Sequence, residues 1–236
     1  MTWSIVARDP ASGAFGVAVA TKFFAVGALT PHAEGGIGAL ATQALINPTF
    51  GPRGLRLLRE GVPAPDVVAI LAAADPGRAF RQLHVQDASG RIGVHTGAAC
   101  VDWCGHIVAE GYSVAGNMLA GPRVVADTAS TFARGAALPF ARRLIEALVA
   151  GEAAGGDRRG KQSAALLIHG AEEYPALSLR VDDHADPLAE LARLEAVSRE
   201  RFVHFATCLP TRTDPAGLTN RAKIEARIAA ALDRNP

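Results

Sequence analysis

Thr2 is the residue whose type and position best suit it to chemistry. If Met1 is removed, the Thr2 hydroxyl stands beside its own free α-amine. An α-amine with a pKa of about 8 can take the hydroxyl proton at neutral pH, so one residue supplies both nucleophile and base. Thr2 is small enough for methionine removal to be expected. The competing reading makes it only the first β-former of an edge strand. Ser4 lies two residues on, on the same strand face, where its hydroxyl orients the Thr2 amine or bonds across a sheet. Lys22 ends the second strand of a hairpin whose turn would set Thr2 opposite Thr21. A cation there lowers the amine pKa and favours a developing alkoxide, unless it is a solvated strand-end lysine.

Three uncharged amides, Gln43, Asn47 and Asn117, sit in apolar or glycine-rich surroundings. Each costs about 1–3 kcal/mol if buried without partners, so each must clamp a substrate, donate to an oxyanion or brace a loop. Gln43, at a strand end, is the best clamp. Asn47 before Pro48 and Asn117 after Gly116 lean towards turns.

The densest polar cluster is Asp157, Arg158, Arg159, Lys161, Gln162 and Ser163, in a glycine-rich stretch whose backbone N–H groups could approach an anion. It has no nucleotide P-loop pattern, and a solvated surface turn is the alternative. Cys100, Cys104 and His106 are three soft ligands without a fourth, so no metal is expected. Asp182, Asp183 and His184 are consecutive, cannot all converge, and read as a carboxylate-capped turn.

The elements that must position these residues follow from patterning. Trp3, Ile5 and Ala7 alternate with Thr2, Ser4, Val6 and Arg8, and after the turn Asp9–Gly13 a second strand, Ala14–Thr21, completes a hairpin. Its small residues Gly16, Ala18 and Ala20 suggest close packing from both sides. Further strands are expected at Gly36–Ala44, Arg81–Asp87, Arg91–Thr96, Gly105–Ala109, Tyr112–Ala115, Gln162–His169 and Leu177–Val181. Helices are expected at Gly51–Glu60, Ala64–Ala74, Pro122–Arg134, Leu138–Ala150, Pro187 to about Phe205, and Thr219–Asp233. Helices in pairs between runs of strands suit two stacked sheets between helical layers better than a repeating βαβ unit. Residues 1–186 are expected to form one α+β domain, with 187–236 a C-terminal helical extension packed on it.

The chain has 236 residues, 49% hydrophobic and 20% charged, with a net charge of +1, ordinary for a soluble globular protein. That balance gives no nucleic-acid footprint and no polybasic membrane patch. The longest low-charge stretch, Phe23–Phe50, is broken by Pro31, Glu34 and Pro48, so no membrane span is expected. The N-terminus lacks a signal-peptide pattern, and three cysteines make no disulfide framework. A cytoplasmic protein with reduced thiols is the expectation.

Several runs taken together resemble the DUF1028 family, which is assigned to the N-terminal nucleophile (Ntn) hydrolases. They are Ser4–Asp9, Phe23–Gly27, Ala41–Ala44, Asn47-Pro48 with Gly51–Gly54, Gly97–Cys100, Gly116–Gly121, Gly155–Gly160 with Gln162–Ala165, and Arg180–His184. They lie in family order over about residues 2–187. The resemblance implies a four-layer αββα sandwich and an amide-bond hydrolase in which a terminal Thr, Ser or Cys on the first strand attacks the carbonyl. By the same analogy Asp157 and Ser163 would support the terminal amine. The expectation is then a cofactor-independent hydrolase of a small amide or short peptide. Thr2, Lys22 and Asp157 would be catalytic, and Ser4, Gln43, Asn47, Asn117, Gln162 and Ser163 would bind substrate. Two other readings stay open: a catalytically inactive small-ligand-binding protein on the same fold, and a scaffold whose C-terminal helices form a homodimer.

Overall fold

The first hairpin carries the alternation expected of it. In the computed structural model, which describes residues 2–233, β1 (Thr2–Arg8) pairs antiparallel with β2 (Phe15–Thr21), and Thr2 stands opposite Thr21. Gly13, at a φ of 73°, closes the turn, and the Asp9 carboxylate accepts the Ser12 backbone N–H. The period of two sends Trp3, Ile5 and Ala7 into one apolar cluster and Val6 into another, so Thr2, Ser4 and Arg8 share the Val6 face.

This hairpin lies inside a six-stranded antiparallel sheet with β7 (Gly105–Ala109), β8 (Tyr112–Asn117), β9 (Ser163–His169) and β10 (Leu177–Val181), in the order β10-β9-β2-β1-β8-β7. A four-stranded antiparallel sheet runs β3-β4-β5-β6, made of β3 (Pro31–Glu34), β4 (Gly38–Ala44), β5 (Arg81–Asp87) and β6 (Ile92–Thr96). The sheets meet where Val6, Phe15 and Val17 pack on Ala33, Ala39 and Ala41.

Helices cover the far face of each sheet. α1 (Phe50–Arg59) and α2 (Ala64–Ala73) bring Leu58, Val67 and Leu71 onto Leu40, Leu83 and Val85 of the smaller sheet. α3 (Arg123–Arg134), α4 (Phe140–Ala153) and α5 (Pro187–Glu200) bring Val125, Leu144 and Leu191 onto Trp3, Ile5 and Leu166 of the larger. A methyl group at Gly16 would stand 2.5 Å from Leu144 Cδ1, which explains the small residues of β2. α6 (Phe202–Ala206) and α7 (Arg221–Leu232) follow. The result is a mixed α/β fold with two antiparallel sheets and, among the described residues, seven α-helices.

Two elements differ from the sequence reading. β3 was not expected: it is a four-residue strand at the edge of its sheet, opened by Pro31, which needs no donor there. The single helix expected from Pro187 to about Phe205 breaks at Arg201 (φ −152°, ψ −46°), whose guanidinium forms an ion pair with Glu225 of α7. α5, the first part of the expected extension, places Leu188 and Leu191 in the same cluster as Trp3 and Ile5.

Candidate functional site

Thr2 lines a cavity of about 260 Å³ at one end of the space between the sheets. Its hydroxyl donates to Thr21 Oγ1 at 3.2 Å, and with 7% of its surface exposed the residue is the floor of the cavity rather than its rim. Thr30 and Gln43 add polar wall, Arg159 adds the cation, and Phe23, Leu29 and Leu45 add apolar wall. Three residues with side chains hold left-handed backbone around this end: Ala25 (φ 53°), Ala44 (φ 71°) and Met118 (φ 55°). Ala44 lines the cavity itself, Ala25 precedes the lining residue Val26, and Met118 follows Asn117. Such conformations cost about 1–3 kcal/mol each and concentrate at functional sites.

Behind the cavity runs a buried polar ladder. Ser4 Oγ donates to Gln43 Oε1 at 2.6 Å, so the 2.8 Å contact with His84 Nε2 makes that nitrogen the donor. His84 Nδ1 then accepts from Ser113 Oγ at 2.9 Å. Burial, with the nearby His106 second, pushes the His84 pKa down to about 3, so the ring is neutral, as this chain of bonds requires. Gln43 Nε2 donates to Gln82 Oε1 at 2.8 Å, to the Ala115 carbonyl at 3.2 Å and to the Thr2 carbonyl at 3.5 Å. Asn117, paired with Thr2 across β8, donates from Nδ2 to Gln82 Oε1 at 3.1 Å and to the same Thr2 carbonyl at 3.4 Å. Both amides thus reach the Thr2 carbonyl with their longest hydrogen bonds and spend their shortest on Gln82.

The remaining candidates brace the surroundings. Asp157 is buried, and its carboxylate accepts the Lys22 backbone N–H at 2.8 Å and the Arg159 guanidinium at 3.1 Å. It therefore ties the end of β2 to the arginine over the cavity. Lys22 does not line the cavity: its Nζ donates to the Lys161 carbonyl at 3.3 Å and is exposed. Ser163 Oγ donates to the Phe23 carbonyl and accepts the Val26 N–H at 3.2 Å, which shapes the loop after β2. Gln162 donates to Asp183 at 3.1 Å at the surface. Asn47 donates to Asp75 at 3.0 Å and accepts from Thr49, a turn closure away from the cavity lining. Asp182 pairs with Arg180, while Asp186 caps α5 by accepting the Ala189 N–H. Among the described residues, no group of three or more His, Cys, Asp or Glu could hold a metal ion, and no helix is long and apolar enough to cross a membrane.

The model of a family of unknown function, DUF1028, matches residues 2–191. The chain belongs to the DUF1028 family. No curated protein matches it. Among solved structures it is similar to the DUF1028 protein SPO2555 from Silicibacter pomeroyi. That crystal structure has 32% identity and a TM-score of 0.86 over 93% of this chain and 96% of the other. The DUF1028 match contains the whole cavity and the whole ladder, and leaves α6 and α7 outside. Several residues of this candidate site were not singled out from the sequence: Thr21 and Thr30 as polar wall, Gln82 and His84 as supports, and Arg159 as the cation of the lining. Gln82 and His84 alternate with Leu83 and Val85, a pattern that reads as the solvent face of a half-buried strand, and only the stacking of the larger sheet on that face buries them.

Proposed function

We propose that this protein is an amide hydrolase of the N-terminal nucleophile kind, built on a four-layer αββα sandwich, with Thr2 as nucleophile once Met1 is removed. The observation that carries the reading is the Thr2 hydroxyl in a largely apolar cavity that also holds Thr21, Thr30, Gln43 and Arg159, with the amides of Gln43 and Asn117 reaching the Thr2 carbonyl. In this reading the freed Thr2 amine takes the Oγ1 proton and Oγ1 attacks the amide carbon. The tetrahedral intermediate expels the amine, which takes that proton from the Thr2 ammonium, and water then hydrolyses the ester. Arg159 is the cation facing the developing negative charge or a substrate anion, a role the sequence assigned to Lys22. Asp157 is the positioning residue that holds Arg159. The reaction requires neither metal nor organic cofactor, and a cavity of about 260 Å³ suits a small amide or the end of a short peptide.

The test has two steps. Intact-mass measurement of purified protein is expected to show residue 2 as the terminus, and a retained methionine would overturn the reading. Treatment with a β-lactone is expected to leave an acyl adduct on Thr2 that is absent in Thr2→Ala. An adduct confined to another residue would also overturn it. A second reading, a small-anion-binding protein without turnover, is favoured by one observation: Gln43 and Asn117 spend their amide N–H groups within the protein, chiefly on Gln82, which leaves neither free to donate to an oxyanion. It predicts a free terminus with no adduct.

A further inference from the structure

The polar face that begins at Thr2 ends at a second cavity. Thr2 and Arg8 are the two ends of β1, roughly 20 Å apart at a strand rise of about 3.3 Å per residue. At the Arg8 end a cavity of about 420 Å³ is lined by Arg8, Gln86, Glu110 and Arg143, closed by Phe132 and the Ser89-Gly90 turn. Gln82, His84 and Gln86 are alternate residues of β5, all fully buried, and they form three rungs facing the larger sheet. The first two rungs are saturated with hydrogen bonds. The third is not: among the described residues neither the Gln86 oxygen nor its nitrogen has a partner. Arg8 Nε, in the same cavity, is likewise buried without one. Arg143 stacks its guanidinium 3.8 Å over the Phe132 ring and donates Nε to the Phe132 carbonyl, so its charge is held at the cavity wall.

A buried amide lacking both donor and acceptor partners is costly and rare in native proteins, and it persists where something outside the chain completes it. Two guanidinium groups share the cavity lining with that amide, and Glu110 is the one carboxylate in the lining. From this we propose that the Arg8 end of the sandwich is a ligand site for a small carboxylate carrying an O–H or N–H donor beside the anion. Arg8 and Arg143 take the carboxylate oxygens. Gln86 accepts from the neighbouring donor and gives its N–H to the ligand. The site is distinct from the Thr2 cavity and does not depend on the function proposed for it.

Calorimetric titration of the full chain with L-malate or L-aspartate is expected to show saturable binding, and succinate, which lacks the donor, is expected to bind roughly tenfold or more weakly. Gln86→Met is expected to weaken malate binding at least tenfold while the ligand-free melting temperature holds or rises by a few degrees, because an unpaired amide has been removed. That opposite movement of binding and stability is not the mark of a merely structural glutamine. Arg8→Met, which keeps the stem beside Phe15, supplies an independent loss of binding should Gln86→Met fail to fold. Thr2→Ala is expected to bind malate as the wild type does. Absence of saturable binding by any of the three acids, with the amide satisfied only by internal water, would overturn the proposal. So would malate affinity unchanged in Gln86→Met or in Arg8→Met, or malate and succinate binding equally.

Discussion

At the scale of single residues, Asp157 shows what sequence reading can and cannot recover. Its place in a glycine-rich polar loop marked it as important, but its partners come from 135 positions away at Lys22 and from its near neighbour Arg159. Replacing Asp157 by Asn keeps the shape, removes the charge and points an N–H at existing donors. Because Arg159 is partly exposed and rehydrates, the expected loss is modest, about 1–2 kcal/mol in urea unfolding at unchanged m-value. If the hydrolase reading holds, KM rises more than kcat falls, since a positioning residue has been lost. Thr2 and Gln43 could be singled out from residue type and position alone, and both line the candidate cavity. Arg159 was not distinguishable from Arg158 or Lys161, since only the fold decides which of three adjacent cations overhangs a cavity. Lys22 illustrates the same limit: the hairpin register was right, yet side-chain direction at a strand end is set by the loop that receives it, here at the Lys161 carbonyl.

At the scale of elements, the hairpin, both buried strands of the smaller sheet and the paired helices were readable from periodicity and turn residues. The short edge strand Pro31–Glu34 was not, because four residues opened by proline carry no alternation. The small residues of β2 pointed to close packing, and Gly16 carries the consequence. Its missing side chain makes room for Leu144 Cδ1 and, at 2.8 Å from a built methyl, Phe140 Cε1. Gly16→Ala is expected to destabilise the protein by about 1–3 kcal/mol, read as a lower urea midpoint, because α4 must move outward or Leu144 must leave its rotamer. A midpoint equal to wild type would show that α4 yields without cost.

At the scale of the whole molecule, the buried polar layer makes stability depend on pH. His84 takes a proton at about 6.5 when unfolded but only at about 3 when folded, so between those values the unfolded chain binds more protons. Stability therefore falls as pH falls through that window, by up to about 1.4 kcal/mol per pH unit from this ring alone. His32, His106 and His169 are also depressed by burial and act in the same direction, whereas Asp75, held at about 2 chiefly by Arg81, matters only below about pH 4. Urea denaturation at pH 4 to 7 is expected to show a shallower acid loss in His84→Gln than in wild type, the shared histidines cancelling in the difference. Equal slopes would remove His84 from the account. The order of the larger sheet has a further consequence, for synthesis of the chain. β1 and β2 lie at its centre, yet their outer neighbours β8 and β9 are encoded far downstream. On a ribosome adding about 5–20 residues per second, the emerging hairpin waits several seconds or more with both of its edges bare. That interval is when nascent chains are most open to pairing with one another, and when chaperone capture would do most for yield.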